Sequence, residues 1–264
     1  MNGSGVGAPA PWYKPVGHEC TLFEHAWRER LPLLLKGPTG CGKSRLVEHM
    51  AAKLGRPLVT VACHDETSAV DLLGRWLVRG EETVWQDGPV SRAVREGAIL
   101  YLDEIAEARP DVIVVLHPLT DHRRSLFVER HDETIQAAPG FGLVVSYNPG
   151  YQRGLKELKP STRQRFVAVN FDYPVAAVEQ EILEGETGCP PATAKRLVAL
   201  AGKMRSVREL GLAEVPSTRL LVDAARLIAA GVPPRLACGA AIVEPLTDDR
   251  ELVRGLSELV ALVF

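Results

Sequence analysis

The stretch Gly37-Pro-Thr-Gly-Cys-Gly-Lys-Ser44 decides the fold expected of this chain. It fits the pattern G-x-x-x-x-G-K-[ST], in which glycines let the backbone curl so that several amide N–H groups point inward at a phosphate. An apolar run at 31–35 precedes it, and a helical pattern at 45–54 follows it. The order strand, loop, helix therefore predicts a nucleotide-binding loop rather than a chance glycine-rich turn.

The residues of this loop have distinct predicted roles. We expect Lys43 to reach the β- and γ-phosphates of ATP and the Ser44 hydroxyl to be a ligand of Mg²⁺. The N-terminus of the following helix adds partial positive charge at the same place. The predicted nucleotide-binding residues of the loop are Gly37, Pro38, Thr39, Gly40, Cys41, Gly42, Lys43 and Ser44.

The composition is that of an ordinary globular protein. Of the 264 residues, 46% are hydrophobic and 24% are charged, which suits one large domain or a core domain with a smaller appendage. The net charge of −2 gives no general electrostatic case for binding nucleic acid or an anionic membrane. No apolar run reaches the roughly 18 residues that a membrane-spanning helix needs.

Targeting and cysteine signals agree with a cytoplasmic location. Residues 1–11 are rich in Gly, Ala and Pro and lack the charged and apolar regions of a signal peptide, so we expect a flexible leader. The five cysteines, at 20, 41, 63, 189 and 238, show no paired metal-ligand spacing. An odd, scattered set of cysteines suits a reducing compartment better than a disulfide framework.

Strand signals predict an α/β fold with two hairpins. Five short β-rich runs predict a central parallel sheet, at 31–35, 58–62, 98–102, 142–147 and 166–169. Alternating runs predict two inserted β-hairpins, at 76–85 and 125–136. Before the first hairpin we expect a helix at 65–73, capped by Asp65 or Thr67, and between the two hairpins another helix at 111–119.

The character of the chain changes at Tyr173. Beyond it strand signals disappear, and apolar residues recur at intervals of three, four and seven, which predicts helices that share a core. One of these helices should begin at Ser217 or Thr218. We therefore expect an α/β nucleotide-binding domain at 12–172 and an all-helical domain at 173–264. Trp12 and Tyr13 could cover an adenine or simply pack on the surface.

Acidic residues end one of the predicted central strands. The apolar run 98–102 is followed by Asp103 and Glu104 at the strand's carboxyl end, where ligands bind in open parallel sheets. This is the Walker B pattern. We expect Asp103 to hold the Mg²⁺ shell, through water, and Glu104 to act as the general base for the attacking water.

Further polar residues complete the predicted site. Asn148 follows the strand at 142–147 and could orient the lytic water, although an Asn-Pro turn is the simpler interpretation. The basic loop 158–166 contains Arg163 and Arg165, and an arginine that reaches a neighbouring copy's ATP would require an oligomer. At the base of the second hairpin, Arg123 and Arg124 could contact phosphate or a neighbouring subunit, or form a solvated charge pair.

These features together resemble AAA+ ATPases of the helix-2-insert group that contains the MoxR proteins, and within it the CbbQ/NorQ/NirQ subgroup, with CbbQ most similar. The resemblance spans about residues 12–264. It is carried by Tyr13-Lys-Pro-Val-Gly17, Lys36-Gly-Pro-Thr-Gly-Cys-Gly-Lys-Ser44, Val61-Ala-Cys-His64, Trp85-Gln-Asp-Gly-Pro89, Ala93-Val-Arg-Glu-Gly97, Tyr101-Leu-Asp-Glu104, Ser146-Tyr-Asn-Pro-Gly-Tyr151, Leu158-Lys-Pro-Ser-Thr-Arg-Gln-Arg-Phe166 and Glu244-Pro-Leu-Thr-Asp-Asp249.

The resemblance implies roles for four residues. Asn148 would be the sensor-1 residue and Arg219, on the helical lid, the sensor-2 residue. Arg165 would be the arginine finger, with Arg163 as the competing candidate. Family members form hexameric rings and act with a partner that bears a von Willebrand factor A domain, of the CbbO or NorD kind.

The resemblance also implies a client enzyme. For CbbQ types this is Rubisco blocked by sugar-phosphate inhibitors, which the resemblance favours here, and for NorQ and NirQ types it is nitric oxide reductase or a related denitrification enzyme. A nucleotide-gated scaffold, a small-molecule kinase and a DNA-acting ATPase are the other classes considered. Glu104 and Asn148 argue against a scaffold, the strand-ending carboxylates argue against a kinase, and the near-neutral charge argues against DNA.

Overall fold

The structure of the chain is a computed structural model that describes residues 10–149, 158–206 and 214–264. Residues 1–9 of the predicted leader and residues 150 and 151 of one quoted motif lie outside the described residues. The chain forms two compact units. The α/β unit contains Gly17–Gly37 and Lys43–Asn170, and the helical unit contains Trp12–Val16, Pro38–Gly42 and Phe171–Phe264.

The α/β unit alternates strands and helices along the chain. Its strands are β1 (Leu33–Lys36), β2 (Leu58–Ala62), β3 (Gly74–Arg79), β4 (Glu82–Asp87), β5 (Ile99–Asp103), β6 (Ser125–Val128), β7 (Glu133–Gln136), β8 (Gly142–Tyr147) and β9 (Val167–Asn170). Its helices are α1 (Glu19–Arg28), α2 (Lys43–Lys53), α3 (Ala69–Leu73), α4 (Pro89–Glu96), α5 (Pro110–Leu116) and α6 (Pro160–Arg163).

Five strands form the central sheet in the order β2-β5-β8-β1-β9, and every neighbouring pair is parallel. The predicted five-stranded parallel sheet is confirmed. Nearly all residues of β1, β5 and β8 are buried, because helices cover both faces of a parallel sheet. Lys36 pairs with both Tyr147 and Asn170, so β1, β8 and β9 end at the same edge of the sheet.

Both predicted hairpins are present, and they contact each other. β3 pairs with β4, and β6 pairs with β7, each in antiparallel register. The Trp85 ring stacks on His131 with 4.8 Å between ring centroids, and Trp76 packs edge-on against both rings. Arg95 of α4 bridges them with ion pairs to Asp87 and Glu133. The sequence predicted two hairpins but not this contact between them.

The helix before the first hairpin starts later than predicted. It begins at Ala69, and its N-cap is Ser68, whose side chain accepts from the Asp71 amide while the Asp71 carboxylate accepts from the Ser68 amide. This reciprocal capping box makes Ser68 the better cap. Thr67 instead accepts a hydrogen bond from the His64 amide at 3.0 Å, so the prediction of Asp65 or Thr67 as the cap was wrong.

The helical unit consists mainly of five helices with a common apolar core: α7 (Ala176–Thr187), α8 (Pro191–Ser206), α9 (Thr218–Ala229), α10 (Pro234–Cys238) and α11 (Arg250–Val263). Ser217 caps α9, which settles the choice between Ser217 and Thr218. α10 is α-helical only as far as Cys238, and Gly239–Val243 form a π-helical turn after it. No described helix is long and apolar enough to cross a membrane.

A buried ion pair fixes the start of α9. Glu179 is fully buried and receives both Arg205 Nη1 and Nη2 at 2.8 Å and Thr218 Oγ1 at 2.7 Å. Arg205 also donates to the Pro216 carbonyl, one residue before the Ser217 cap. Because a buried carboxylate is costly unless its oxygens are hydrogen-bonded, these contacts hold the first turn of α9 in one position.

Candidate functional site

The phosphate loop connects β1 to α2. Gly40 and Gly42 have φ angles of +69° and +100°, which favour glycine, and a Cβ at Gly40 would lie 2.5 Å from Ser217 Oγ. The sequence pattern places glycine where the curled backbone needs it. Tyr13 is the nearest side chain to the Cβ position of Gly42, and Trp12 packs against Gly185 of α7, so the aromatic segment is an ordered part of the helical unit.

Lys43 and Glu104 are joined through Asn148. The Lys43 side chain is buried at the start of α2, where its Nζ donates to the Gly37 carbonyl at 2.8 Å and to Asn148 Oδ1 at 2.7 Å. Asn148 Nδ2 in turn donates to Glu104 Oε1 at 3.2 Å. Three residues predicted from separate motifs therefore form one hydrogen-bonded chain at the carboxyl edge of the sheet.

A second cluster, which we call the Asp103 network, surrounds the predicted Mg²⁺ ligands. Ser44 Oγ donates to Asp103 Oδ2 at 3.2 Å. Tyr101 donates to Asp103 Oδ1 at 2.7 Å, and Ser146 Oγ donates to the same oxygen. Hydroxyl and carboxylate oxygens are the ligands that Mg²⁺ prefers, so Ser44 and Asp103 fit that ion. Tyr101 and Ser146 would orient the carboxylate.

The electrostatics of Tyr101 make it a donor. Burial, and then the charge of Asp103, raise the pKa of its hydroxyl well above the ordinary value. The hydroxyl therefore keeps its proton and points it at Asp103. Cys63, beside the same strand end, behaves alike, because burial and then the charges of Asp103 and Glu104 raise its thiol pKa to about 12. It is not a thiolate nucleophile.

Glu104 has an unusual backbone conformation. Its φ of +55° and ψ of +46° lie in the left-handed region, which few residues other than glycine adopt. Its amide donates to Ser146 Oγ at 3.1 Å, and its side chain is exposed. The left-handed turn directs the chain away from β5 directly after Asp103. Strained backbone of this kind clusters at functional sites.

The arginines of the basic loop lie away from this edge. Arg163 ends α6 and Arg165 precedes β9, so both are at the amino end of a strand, opposite to Glu104. Arg165 Nη1 lies 3.7 Å from Asp121 Oδ2. Arg219 is in the first turn of α9, and its Cβ lies 3.2 Å from where a Cβ on Gly40 would be. Among the residues that the structure describes, neither Arg163 nor Arg165 bonds to the Lys43–Asn148–Glu104 chain.

Two parts of the chain match known family models. Residues 32–166 match the AAA domain of the dynein-related subfamily, and residues 179–263 match the CbbQ/NirQ/NorQ C-terminal region. The chain belongs to the CbbQ/NirQ/NorQ family of AAA+ ATPases. The resemblance stated from the motifs is confirmed, as is its implication that the chain is an ATPase.

Three named relatives align with nearly the whole of this chain. NorQ of Paracoccus denitrificans is 60% identical, with 97% of this chain and 94% of the relative covered. The denitrification regulatory protein NirQ of Pseudomonas aeruginosa is 58% identical, with 96% and 97% covered. CbbQ of Hydrogenophilus thermoluteolus is 54% identical, with 92% and 91% covered.

A solved structure supports the AAA+ fold. A RuvB mutant of Thermotoga maritima aligns with a TM-score of 0.56 at 17% identity, over 95% of this chain and 73% of that one. At this identity the match shows the fold alone.

Sequence reasoning missed Tyr101 and Ser146. The strand pattern contained one signal for the first, because Tyr101 lies two residues before Asp103 and so shares its face of β5. For Ser146 the only signal was a polar residue inside an otherwise apolar strand that ends beside Asn148. A buried polar side chain at that place needs a partner, and it has one in Asp103.

Proposed function

We propose that this AAA+ ATPase is the subunit of a hexameric ring motor that hydrolyses Mg-ATP and remodels a client enzyme, together with a partner bearing a von Willebrand factor A domain. The observation that carries the proposal is the Lys43–Asn148–Glu104 chain beside the Asp103 network. Its support for the proposal is that an ammonium group, hydroxyl and carboxylate oxygens and a second carboxylate lie at one edge of the sheet, as ATP hydrolysis would require.

In this proposal Lys43 and Ser44 hold the phosphates and Mg²⁺, and Asp103 holds the ion's water shell. The bound ion offsets the negative charge of the phosphates. Glu104 orients the attacking water and accepts its proton. Lys43 exchanges its bond with Asn148 for the γ-phosphate, which leaves Asn148 to hold Glu104 and the water in line.

The arginines supply the reason for a ring. Arg165 and Arg163 lie at the amino edge of the sheet, whereas the nucleotide site is at the carboxyl edge, so neither serves the site of its own chain. A neighbouring copy brings the two edges together, and Arg165 then offsets charge that develops on the γ-phosphate. Arg219 serves as the sensor on the helical unit. Hydrolysis removes the phosphate contacts of Arg165 and Arg219, and this change drives the movement passed to the client.

Mixed rings test this arrangement. Lys43→Ala subunits bind no nucleotide but carry Arg165, and Arg165→Ala subunits bind nucleotide but lack the finger. Each variant alone should lose ATPase activity by about 10³-fold or more. Mixed in equal amounts they should recover part of it, because some interfaces combine an intact loop with an intact finger. The same mixture with Arg163→Ala distinguishes the two candidate fingers. No recovery in assembled mixed rings would contradict the shared site.

We place a denitrification enzyme, of the nitric oxide reductase kind, first among possible clients. The relatives named NorQ and NirQ are 60% and 58% identical to this chain, and the one named CbbQ is 54% identical. This order differs from the sequence-based expectation, which put Rubisco first. Rubisco stays the second candidate because the CbbQ relative also covers nearly all of the chain.

A reconstitution experiment decides between the two clients. The ring and its von Willebrand factor A partner are incubated with ATP and either inactive nitric oxide reductase or inhibitor-blocked Rubisco. We expect ATP-dependent recovery of the reductase only, and none when Glu104→Gln rings replace the wild type. Recovery of Rubisco activity alone would show that Rubisco, and not the reductase, is the client. Failure with both enzymes would argue against remodelling.

A further inference from the structure

One carboxylate near the second hairpin binds two arginines from different parts of the chain. Asp121 Oδ1 accepts from the Arg123 amide and from Arg123 Nε, both at 3.0 Å, and Oδ2 accepts from Arg123 Nη2 at 2.6 Å. The same Oδ2 lies 3.7 Å from Arg165 Nη1. Arg123 and Arg165 are therefore neighbours although 42 positions separate them in the sequence.

Exposure distinguishes the carboxylate from the two cations. The Asp121 side chain is 24% exposed, whereas those of Arg165 and Arg123 are 37% and 54% exposed. Two guanidinium groups on one carboxylate leave an excess positive charge at the surface. Ion pairs as open as these add little to stability, so stability alone does not account for the cluster.

The cluster also separates the two candidate fingers. Arg165 lies within ion-pair distance of Asp121, with Nη1 3.7 Å from Oδ2. Arg163, two residues earlier, takes part in no ion pair with the part of the chain that the structure describes. A group that stabilises a transition state works best when it is already in position. The pair on Asp121 therefore favours Arg165, and it places Arg123 beside it.

We propose that Arg123 is a second arginine that contacts the nucleotide of a neighbouring copy, and that Asp121 is the positioning residue that holds Arg123 and Arg165 side by side. The inference rests on the proposed function, in which Arg165 acts across a subunit interface. It adds a residue to that interface which neither the motifs nor the family models assign.

The chemistry of the phosphates favours a pair of arginines. The terminal phosphate of ATP carries several anionic oxygens, and a planar guanidinium group can donate to two of them at once. Arg123 Nη2 and Arg165 Nη1 lie 2.6 and 3.7 Å from the same oxygen of Asp121, so a phosphate that reaches one guanidinium is near the other. Asp121 keeps two like charges close together before the nucleotide arrives.

The test compares ATPase rates of assembled rings that carry Arg123→Ala. We expect kcat to fall by about 10- to 100-fold, less than for Arg165→Ala, because one of two phosphate donors is lost. When Arg123→Ala subunits are mixed with Lys43→Ala subunits, the ATPase activity per nucleotide-binding subunit should rise several-fold above that of rings made of Arg123→Ala alone. A cis role or a purely structural role would give no such gain.

Two further variants complete the design. Asp121→Asn should lower kcat, and its effect should not add to that of Arg123→Ala, because both changes disturb one pair. Arg123→Lys keeps the charge but loses the planar fork, so its kcat should lie between wild type and Arg123→Ala. Arg226→Ala is the matched control, since Arg226 of α9 is 53% exposed and paired with Glu186 of α7. It should retain wild-type kcat.

The outcomes separate this inference from the proposed function. The proposed role of Arg123 is wrong if mixed rings restore the ATPase activity of Arg165→Ala but not that of Arg123→Ala. It is also wrong if Arg123→Ala has the same kcat as Arg226→Ala. In both cases the shared site stands. If Arg165→Ala does not recover in assembled rings, the shared site itself is wrong. If Arg123→Ala and Arg123→Lys both fail to assemble while Arg226→Ala assembles, Arg123 is structural and the inference is overturned.

Discussion

The two edges of the central sheet hold their charged side chains differently. At the carboxyl edge Lys43 is buried, and Asn148 connects it to Glu104. At the amino edge Arg123 and Arg165 are exposed and share a single carboxylate. In the proposed function, the carboxyl-edge groups act within one chain and are fixed by it, whereas the arginines act on a neighbouring copy and stay open to it. The difference suggests two unequal half-sites in each copy.

Each edge has one left-handed residue beside its charged groups, Glu104 at the carboxyl edge and Arg124, next to Arg123, at the amino edge. The left-handed backbone of Glu104 costs about 1–3 kcal/mol, which the surrounding contacts must offset. Two hydrogen bonds offset this cost. The Glu104 amide donates to Ser146 Oγ, and Asn148 Nδ2 donates to the Glu104 side chain. Strain of this kind persists only where neighbours fix the residue, so Glu104 should be sensitive to substitution of Ser146 and Asn148.

The largest effect should come from Glu104→Gln. Glutamine keeps the oxygen that accepts from Asn148 Nδ2, so the local structure should survive, but it cannot take a proton from water. We expect kcat for ATP hydrolysis to fall by about 10³-fold with ATP affinity and ring assembly unchanged. Fluorescent-nucleotide binding, sedimentation and phosphate release measure the three properties. Near-normal turnover would show that Glu104 is not the general base. The contrast between the two edges would then have no catalytic basis.

Local patterns predicted most of the sheet and its carboxyl edge. The phosphate loop, the strand that ends at Asp103 and the strand before Asn148 each have a short sequence signal, and parallel strands bring such ends to one edge. The bond between Ser146 and Asp103 joins residues 43 positions apart, and no local pattern connects them. The Asp121–Arg165 contact was invisible for the same reason.

Tertiary contacts also decided details that propensity left open. The sequence offered Asp65 and Thr67 as caps, but Thr67 is occupied by the His64 amide, and Ser68 has Asp71 at the spacing of a capping box. Arg123 was weighed as a phosphate contact or a solvated pair, and its partner proves to be Asp121, which also lies near the basic loop. Side-chain competition of this kind is settled only in the folded chain.

A smaller effect should follow from Asn148→Ala, which cuts the connection between Lys43 and Glu104. Glu104 keeps its charge but loses the amide donor that fixes it, so water is positioned less well. We expect kcat to fall by about 10²-fold with a change in KM for ATP below threefold. Asn148→Asp is the informative companion, because it keeps the acceptor for Lys43 and removes the donor to Glu104. If Asn148→Asp hydrolyses ATP normally, the connection to Glu104 has no part in turnover.

The smallest predicted effect concerns Tyr101→Phe, and it tests how deep the carboxyl edge extends. The substitution removes the 2.7 Å hydrogen bond to Asp103 Oδ1 but keeps the ring in the core. Asp103 still receives Ser44 and Ser146, so it should keep its place but hold it less tightly. We expect the Mg²⁺ concentration for half-maximal ATPase activity to rise by about 10-fold, with kcat at saturating Mg²⁺ within about threefold of wild type.

Tyr147→Phe is the matched control for that experiment. Tyr147 is a buried tyrosine of the neighbouring strand β8, and its hydroxyl bonds to none of the residues at 10–149, 158–206 and 214–264. Its Mg²⁺ dependence should not change. If Tyr101→Phe shows the same Mg²⁺ dependence as Tyr147→Phe, the Asp103 network consists of Ser44 and Ser146 only. The carboxyl edge then depends on no buried tyrosine, just as the arginine pair does not. If only Tyr101→Phe needs more Mg²⁺, the buried Tyr101 hydroxyl of β5 contributes to Mg²⁺ binding through Asp103. The hydrogen bonds that fix the carboxyl edge then include a residue of the protein core.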